Sequence, residues 1–223
     1  DLSRFAVDFA WTIDCCELGE IVYENFNAAA AEIRFTGVTA HPMSSKGVLV
    51  NPLLMATDYM SHFDRQQTPE YTAGREGYVW FNGIQGDQNS TLLQASIRDF
   101  DLASFNRRKQ QIGEVAQKIA AQYPTGKVEF HVSDTYSNIS NAIGEDRRAI
   151  DLMFEAMESL GITPKPTPMR GGTDGAALSA KGVLTPNFFT GAHNFHSKFE
   201  FLPLRAFEAS YQTAFQLCLL AAR

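Results

Sequence analysis

The sequence has few cysteines, no long apolar run and no excess of positive charge. Three of its 223 residues are cysteine, and Cys15 and Cys16 are adjacent, so a disulfide framework is excluded and a reducing compartment, the cytoplasm, is expected. The apolar run from Leu217 to Ala222 is too short to span a bilayer. A net charge of −6 disfavours binding to nucleic acid, which needs a basic surface. We therefore expect neither a nucleic-acid nor a membrane partner.

The composition otherwise resembles that of a folded enzyme or binding domain. Hydrophobic residues make up 44% and charged residues 20% of the chain, and 17 residues are phenylalanine, which indicates substantial buried packing. The length suits one large domain or two small ones.

The middle of the chain alternates apolar and polar residues in several short segments. Residues 28–35, 78–84, 91–100 and 127–132 are predicted strands, and helices are predicted after Asn51 and Asp101. The order β-α-β-β-α-β is that of a ferredoxin-like α+β domain. We place it at residues 27–140.

The flanking regions, 1–26 and 141–223, show the strand–helix alternation of an α/β domain. A buried strand is predicted at 7–13, a helix at 146–160, and a closing helix at 203–222 that carries Phe207, Tyr211, Phe215, Cys218 and Leu219 on one stripe. The predicted fold is thus an α/β domain interrupted by the α+β insertion.

Two groups of residues in the flanking regions have the character of metal ligands. Asp14 follows the predicted strand, where a carboxylate serves either as a metal ligand or as a turn-former. His193 and His196 share a loop and fit either one metal ion or a surface loop without a ligand. Glu200 is a candidate either to hold the ring of one of these histidines or to neutralise charge there.

The run Arg170-Gly171-Gly172-Thr173-Asp174-Gly175 has the character of a carboxylate-binding turn. Adjacent glycines allow close backbone approach, Thr173 can cap a following helix, and an arginine binds carboxylates in a bidentate manner. A tight turn with a solvated Arg170 is the alternative. Elsewhere, His41 reads as an exposed loop histidine, and Arg98 as an ion-pair partner of neighbouring aspartates.

Taken together, these motifs resemble the peptidase T family, the tripeptide aminopeptidases of the co-catalytic di-zinc peptidase superfamily. The resemblance covers nearly the whole chain, and the Arg170–Ala176 run is its most specific part. The other matching segments are Thr12–Asp14, Glu24–Ala29, His41–Pro42, Lys46–Gly47, Ile97–Asp101, Asn194–His196 and Glu200–Phe201.

The resemblance implies roles for individual residues. Asp14 and His196 each match a ligand of one of two zinc ions, and His41 matches a catalytic histidine that polarises the scissile carbonyl. The remaining matches are substrate-binding: Arg98, Arg170, Gly171, Gly172, Thr173 and Asp174. Residues 27–140 match a lid that forms a homodimer contact, and residues 1–26 and 141–223 match parts of the catalytic domain.

The implied reaction removes the N-terminal residue of a tripeptide with zinc-activated water. The other metal ligands and the general base of the family precede the part that matches, so the resemblance implies a C-terminal fragment, inactive alone. The start at Asp1 rather than Met agrees with a processed or partial chain. A related deacylase or carboxypeptidase, and a non-catalytic dimerisation module, remain alternatives.

Overall fold

A computed structural model describes residues 2, 4–14 and 16–223 of the chain. The chain forms two compact units: Asp1–Phe26 together with Tyr136–Arg223, and Asn27–Thr135. We call these the discontinuous unit and the central unit. Cys15 lies outside the described residues, while Cys16 is half-buried with a φ of 68°.

The central unit has the predicted element order β-α-β-β-α-β, which is confirmed. The elements are β3 (Asn27–Thr36), α1 (Pro52–Ser61), β4 (Tyr78–Gly86), β5 (Ser90–Asp99), α2 (Leu102–Gln122) and β6 (Lys127–Tyr136). The four strands form one sheet in the order β4-β5-β3-β6, in which β3 and β4 both pair antiparallel with β5.

Local chemistry explains where the helices of the central unit begin. The side chain of Asn51 accepts a hydrogen bond from the backbone N–H of Leu53 at the start of α1, and Asp101 does the same for Ser104 in α2. Such caps satisfy N–H groups that have no partner within the helix. The core between the helices and the sheet contains Ile33, Tyr59, Leu93, Ile97, Phe105, Ile112 and Ile119.

The discontinuous unit combines short strands with three helices among its described residues. The elements are β1 (Thr12–Ile13), β2 (Glu20–Val22), α3 (Arg148–Ser159), β7 (Lys165–Pro166), α4 (Asp174–Ser179), β8 (Asn187–Phe188) and α5 (Leu204–Ala221). The strands form a sheet in the order β1-β8-β2-β7, with β1 parallel to β8 and β2 parallel to β7.

The strand predicted at 7–13 is mostly wrong. Only Thr12–Ile13 is a strand, and Val7 and Ile13 are about half-exposed rather than buried. The preceding backbone still follows the Leu184–Pro186 segment, through bonds from Ala10 N and Thr12 N. The Thr12–Ile13 strand is an edge strand: it pairs with Asn187–Phe188 on one side, and no described strand pairs with its other side.

The stripe predicted on the closing helix exists, but it faces solvent. Phe207, Tyr211 and Phe215 are each more than half-exposed on α5. The buried side carries mostly small or polar residues: Ala206, Ser210, Thr213, Leu217 and Leu220. Small side chains are required there, since a Cβ atom on Gly191 would lie 2.4 Å from that of Ala206. This close approach limits the size of the side chains that the buried face of the helix can carry at Ala206.

Within the described part of the chain, no helix combines the length and apolar character that crossing a membrane requires.

Candidate functional site

A cavity of about 570 Å³ opens in the discontinuous unit where β1 ends and α4 begins. Its lining brings residues 12–14 together with residues 172–174, more than 150 positions later in the chain, so the cavity depends on the tertiary fold. The lining residues are Thr12, Ile13, Asp14, Tyr136, Gly172, Thr173 and Asp174.

Asp14 is placed at the cavity by its backbone. Its N–H donates to the carbonyl oxygen of Phe188 at 3.3 Å, and its own carbonyl accepts from Nδ2 of Asn187 at 2.9 Å. The Oδ1 atom of the same Asn187 accepts from the Thr12 hydroxyl at 2.9 Å. Because the backbone is held from both sides, the exposed Asp14 carboxylate projects from a fixed position.

Residues Gly172–Asp174, at the end of the turn that begins at Met169, form the opposite wall. Thr173 is the N-cap of α4, and its hydroxyl accepts from the N–H of Ala176 at 3.3 Å, as its sequence position predicts. Gly172 lies against the ring of Tyr136, where a Cβ atom would be 2.9 Å from a ring carbon. Gly175 approaches the backbone of Thr185 even more closely, at 2.2 Å from the carbonyl oxygen to a hypothetical Cβ.

The walls of this cavity are acidic. Asp14 and Asp174 both line it, and no basic side chain is among its described lining residues. Two carboxylates facing the same space favour a cation, either a metal ion or an ammonium group, over a free carboxylate. Arg170 is outside the lining; its guanidinium stands over the ring of Phe26, 5.0 Å from the ring centroid.

These residues do not make up a complete metal site. Among the described residues, no group of three His, Cys, Asp or Glu side chains is arranged to hold a metal ion. A catalytic zinc ion needs about three protein ligands. Asp14 and Asp174 can therefore supply part of a coordination sphere only.

The histidine loop is held by contacts other than those predicted. His193 stacks on Phe201, with ring centroids 5.2 Å apart, and its Nδ1 lies 4.0 Å from Oε1 of Glu17. Glu200 does not orient a histidine ring in this structure. Its carboxylate accepts instead from the backbone N–H of His196 at 2.9 Å, which stabilises that residue at a positive φ of 62°. The His196 side chain is exposed and is not among the cavity's lining residues.

Two other predicted site residues, His41 and Arg98, belong to the central unit. The Nδ1 atom of His41 accepts from the N–H of Met43 at 3.2 Å and so caps a short 3-10 turn. The half-buried guanidinium of Arg98 donates to the carbonyl oxygens of Ala29 and Ile97, at 3.1 and 2.9 Å. The neighbouring Asp99 pairs with Arg108 at 2.8 Å.

The sequence patterns missed Tyr136 and Asn187. Tyr136 forms part of the cavity wall, and Asn187, fully buried, holds Asp14 in place. A buried asparagine inside an apolar strand is a usable signal, because burial of its amide requires hydrogen-bond partners. No comparable signal marks Tyr136.

Comparison with known proteins relates the chain to peptidases. The family model described as the peptidase dimerisation domain of M20 peptidases matches residues 23–127. A peptidase T-like protein of Yersinia pestis is 64% identical over the whole chain, which covers 54% of that relative. Peptidase T of Caldanaerobacter subterraneus is 42% identical over 95% of this chain, which covers 52% of it.

The chain is similar in sequence to peptidase T. It spans about half the length of the curated relatives it matches, and that half is the C-terminal one. The similarity to peptidase T extends over both units, since the matches cover 95 to 100% of the chain.

Solved structures show the same fold. An aminopeptidase PepT from Bacillus cereus superposes with a TM-score of 0.83 at 17% identity, covering 97% of this chain and 58% of that protein. A dinuclear metal-binding M20 peptidase from Bacillus subtilis gives a TM-score of 0.73 at 17% identity, covering 99% and 58%. The α/β architecture with an inserted domain is therefore that of M20 peptidases.

Proposed function

We propose that this chain is the C-terminal half of a cytoplasmic di-zinc aminopeptidase that removes the N-terminal residue of tripeptides. The observation that carries the proposal is the acidic cavity, because it unites Asp14 with Gly172–Asp174 in a chain homologous to peptidase T. The central unit, as the matched dimerisation domain, forms a homodimer in this proposal.

The chain's own residues would divide the work as follows. Asp14 and His196 each provide a zinc ligand, and the remaining ligands and the general base come from the half that this chain does not match. Arg98, Arg170 and the turn Gly171–Asp174 hold the peptide, with Arg170 binding a carboxylate. His41 polarises the scissile carbonyl, since an imidazole N–H can donate a hydrogen bond to an oxygen.

The first test is an assay of the purified 223-residue chain with zinc and a tripeptide. We expect no release of the N-terminal amino acid, because the described residues supply fewer than three ligands for any one ion. Zinc-dependent turnover by the chain alone would overturn the fragment part of the proposal.

The second test restores the unmatched half. The chain is co-expressed with the N-terminal half of the Yersinia pestis relative, and zinc-dependent tripeptide hydrolysis is expected. Asp14→Ala and His196→Ala should each abolish it. The matched controls Asp151→Ala and His62→Ala alter exposed residues of the same types outside the proposed site and should retain activity.

Substrate class is tested on the same reconstituted protein. Solved structures with this fold include amidases of the hydantoinase/carbamoylase family, so the fold alone does not decide the substrate. Faster hydrolysis of N-acyl amino acids than of tripeptides would refute the tripeptidase assignment. A protein that dimerises but cleaves neither substrate would support a dimerisation module instead.

A further inference from the structure

Asn25 is a fully buried polar residue that forms a parallel β-bridge with Met169, just before the chain leaves the discontinuous unit. Its Nδ2 lies within hydrogen-bond distance of three backbone carbonyl oxygens: Phe26 at 3.0 Å, Ser137 at 3.3 Å and Gly171 at 3.4 Å. Its Oδ1 accepts from the N–H of Ile139 at 2.7 Å. The side chain of Asn25 thus connects its own segment to two others, at Ser137–Ile139 and at Gly171.

An asparagine is suited to this position because it donates and accepts through the same planar group. The amide carries two N–H bonds and one oxygen acceptor, so the three carbonyl oxygens share two N–H donors. The longest of the three contacts is the one with Gly171. An isosteric aspartate would keep the acceptor for Ile139 but lose every donor. An apolar residue would remove every hydrogen bond that the Asn25 side chain makes, both to the carbonyl oxygens and to the N–H of Ile139.

Backbone contacts of the same segment bind the neighbouring part of the turn. Met169 N donates to the carbonyl of Glu24 at 3.0 Å, and Phe26 N donates to that of Met169 at 3.2 Å. The next residue, Arg170, stands over the fully buried ring of Phe26. The segment Glu24–Phe26 therefore supports both the entry to the turn and its arginine.

The other side of the turn is connected to Asn25 through a second segment. Gly172 lies against the ring of Tyr136, and the residues after Tyr136 are tied to Asn25 at Ser137 and Ile139. In return, Oδ1 of the buried Asn138 accepts from the backbone N–H of Asn25 at 2.9 Å. Asn25 thus connects the segment that contacts Arg170 with the segment that contacts Gly172.

We propose that Asn25 is a positioning residue that holds the Met169–Gly172 turn in place, and with it the guanidinium of Arg170 over the ring of Phe26. That Arg170 serves a peptide substrate rests on the proposed function; that its position depends on Asn25 does not. The inference concerns the discontinuous unit alone.

The test compares Asn25→Asp with Asn27→Asp in the full chain. Asn27 is a matched control, because it is also buried and also donates through Nδ2 to backbone carbonyls, those of Asp99 and Phe100, but in the central unit. The readout is the NMR chemical shift of the Arg170 side chain, which the ring of Phe26 displaces. Phe26→Leu calibrates the value without the ring.

In Asn25→Asp we expect the Arg170 shift to move most of the way to the Phe26→Leu value, and hydrogen exchange at Met169 to accelerate by about tenfold or more. Exchange in the buried helix α3 of the same unit should change far less. Asn27→Asp should leave the Arg170 signal unchanged. An unmoved Arg170 signal in Asn25→Asp, or equal acceleration throughout the unit, would overturn the inference.

Should Asn25→Asp fail to fold, Asn25→Ser is measured in the same way, since its hydroxyl keeps one donor and one acceptor. A smaller displacement of Arg170 in the same direction supports the inference, and none contradicts it. If the turn loosens but Arg170→Ala leaves the reconstituted peptidase unaffected, the proposed role of Arg170 fails while the positioning role of Asn25 stands.

Discussion

Replacing Gly175 by alanine tests how tightly the start of α4 is packed against its neighbours. A Cβ atom there would lie 2.2 Å from the carbonyl oxygen of Thr185 and 3.1 Å from the Thr12 hydroxyl, whereas ordinary contacts begin at 3.4 Å. The nearest atom belongs to the backbone, so no side-chain rotation relieves the clash. The helix or the Thr185 segment must move by about 1 Å.

The expected loss follows from two opposing terms. Overpacking of this kind costs about 1–3 kcal/mol, while alanine is better than glycine in a helix by about 0.5–1 kcal/mol. Because the clash is with backbone, we expect the overpacking cost in the upper half of its range, about 2–3 kcal/mol. With a helix gain of about 1 kcal/mol, the net loss in the free energy of unfolding should be about 1–2 kcal/mol. Gly171→Ala is the matched control, because its nearest neighbour is Met169 Cγ at 3.9 Å, and its effect should stay within about 0.5 kcal/mol.

Urea unfolding followed by tryptophan fluorescence measures this difference. The chain contains two tryptophans, Trp11 in the discontinuous unit and Trp80 in the central unit, so a Trp80→Phe background reports on the relevant unit. With a slope of about 2 kcal/mol per M urea, the midpoint should fall by about 0.5–1 M in Gly175→Ala. An unchanged midpoint, or an equal fall in Gly171→Ala, would refute the reasoning.

Three further predictions concern other parts of the chain. Arg108→Ala should destabilise the central unit by about 3 kcal/mol in urea unfolding, because the Asp99 carboxylate, 7% exposed, loses its partner at 2.8 Å; a loss below about 1 kcal/mol would contradict this. At the start of α2, backbone hydrogen bonding lowers the pKa of Asp101 below 3.8, so its stabilisation is present above pH 3.8 and is lost as the pH falls through the folded-state pKa. In Asp101→Asn the melting temperature should therefore fall less steeply as the pH is lowered below 3.8. The same steepness in the variant and the unaltered protein would contradict this role of the Asp101 carboxylate. On α5, Leu217→Ala should cost about 2–5 kcal/mol and the half-exposed Phe215→Ala less than about 1 kcal/mol; comparable losses would show that the helix faces the other way.

The central unit was largely predictable because its signals are local. Alternating apolar residues define strands, and side-chain caps at Asn51 and Asp101 define helix starts; neither depends on distant parts of the chain. Within the discontinuous unit, Thr173 is a further local signal, and it caps α4 as expected. Strand ends were less predictable, and β6 extends to Tyr136 rather than ending near residue 132.

The candidate site was predictable in its parts only. Asp14 and the Arg170–Asp174 run were selected from the sequence by residue type and motif, and the structure brings Asp14, Gly172, Thr173 and Asp174 to one cavity. Arg170 and His196 lie outside the lining, and Glu200 binds backbone rather than a histidine ring. Roles of individual side chains depend on which atoms meet, and a motif carries no such geometry.

The sequence by itself determined the order of elements, the helix caps and the relationship to peptidase T, since these rest on local chemistry and on residue identity. Only the tertiary structure decided which face of α5 is buried and at which glycines a side chain would clash. The physical reason is packing between segments that are distant in the chain: at Gly191 and Ala206, for example, the available space excludes larger side chains. The same long-range packing made Asn25 the common support of a turn almost 150 residues away.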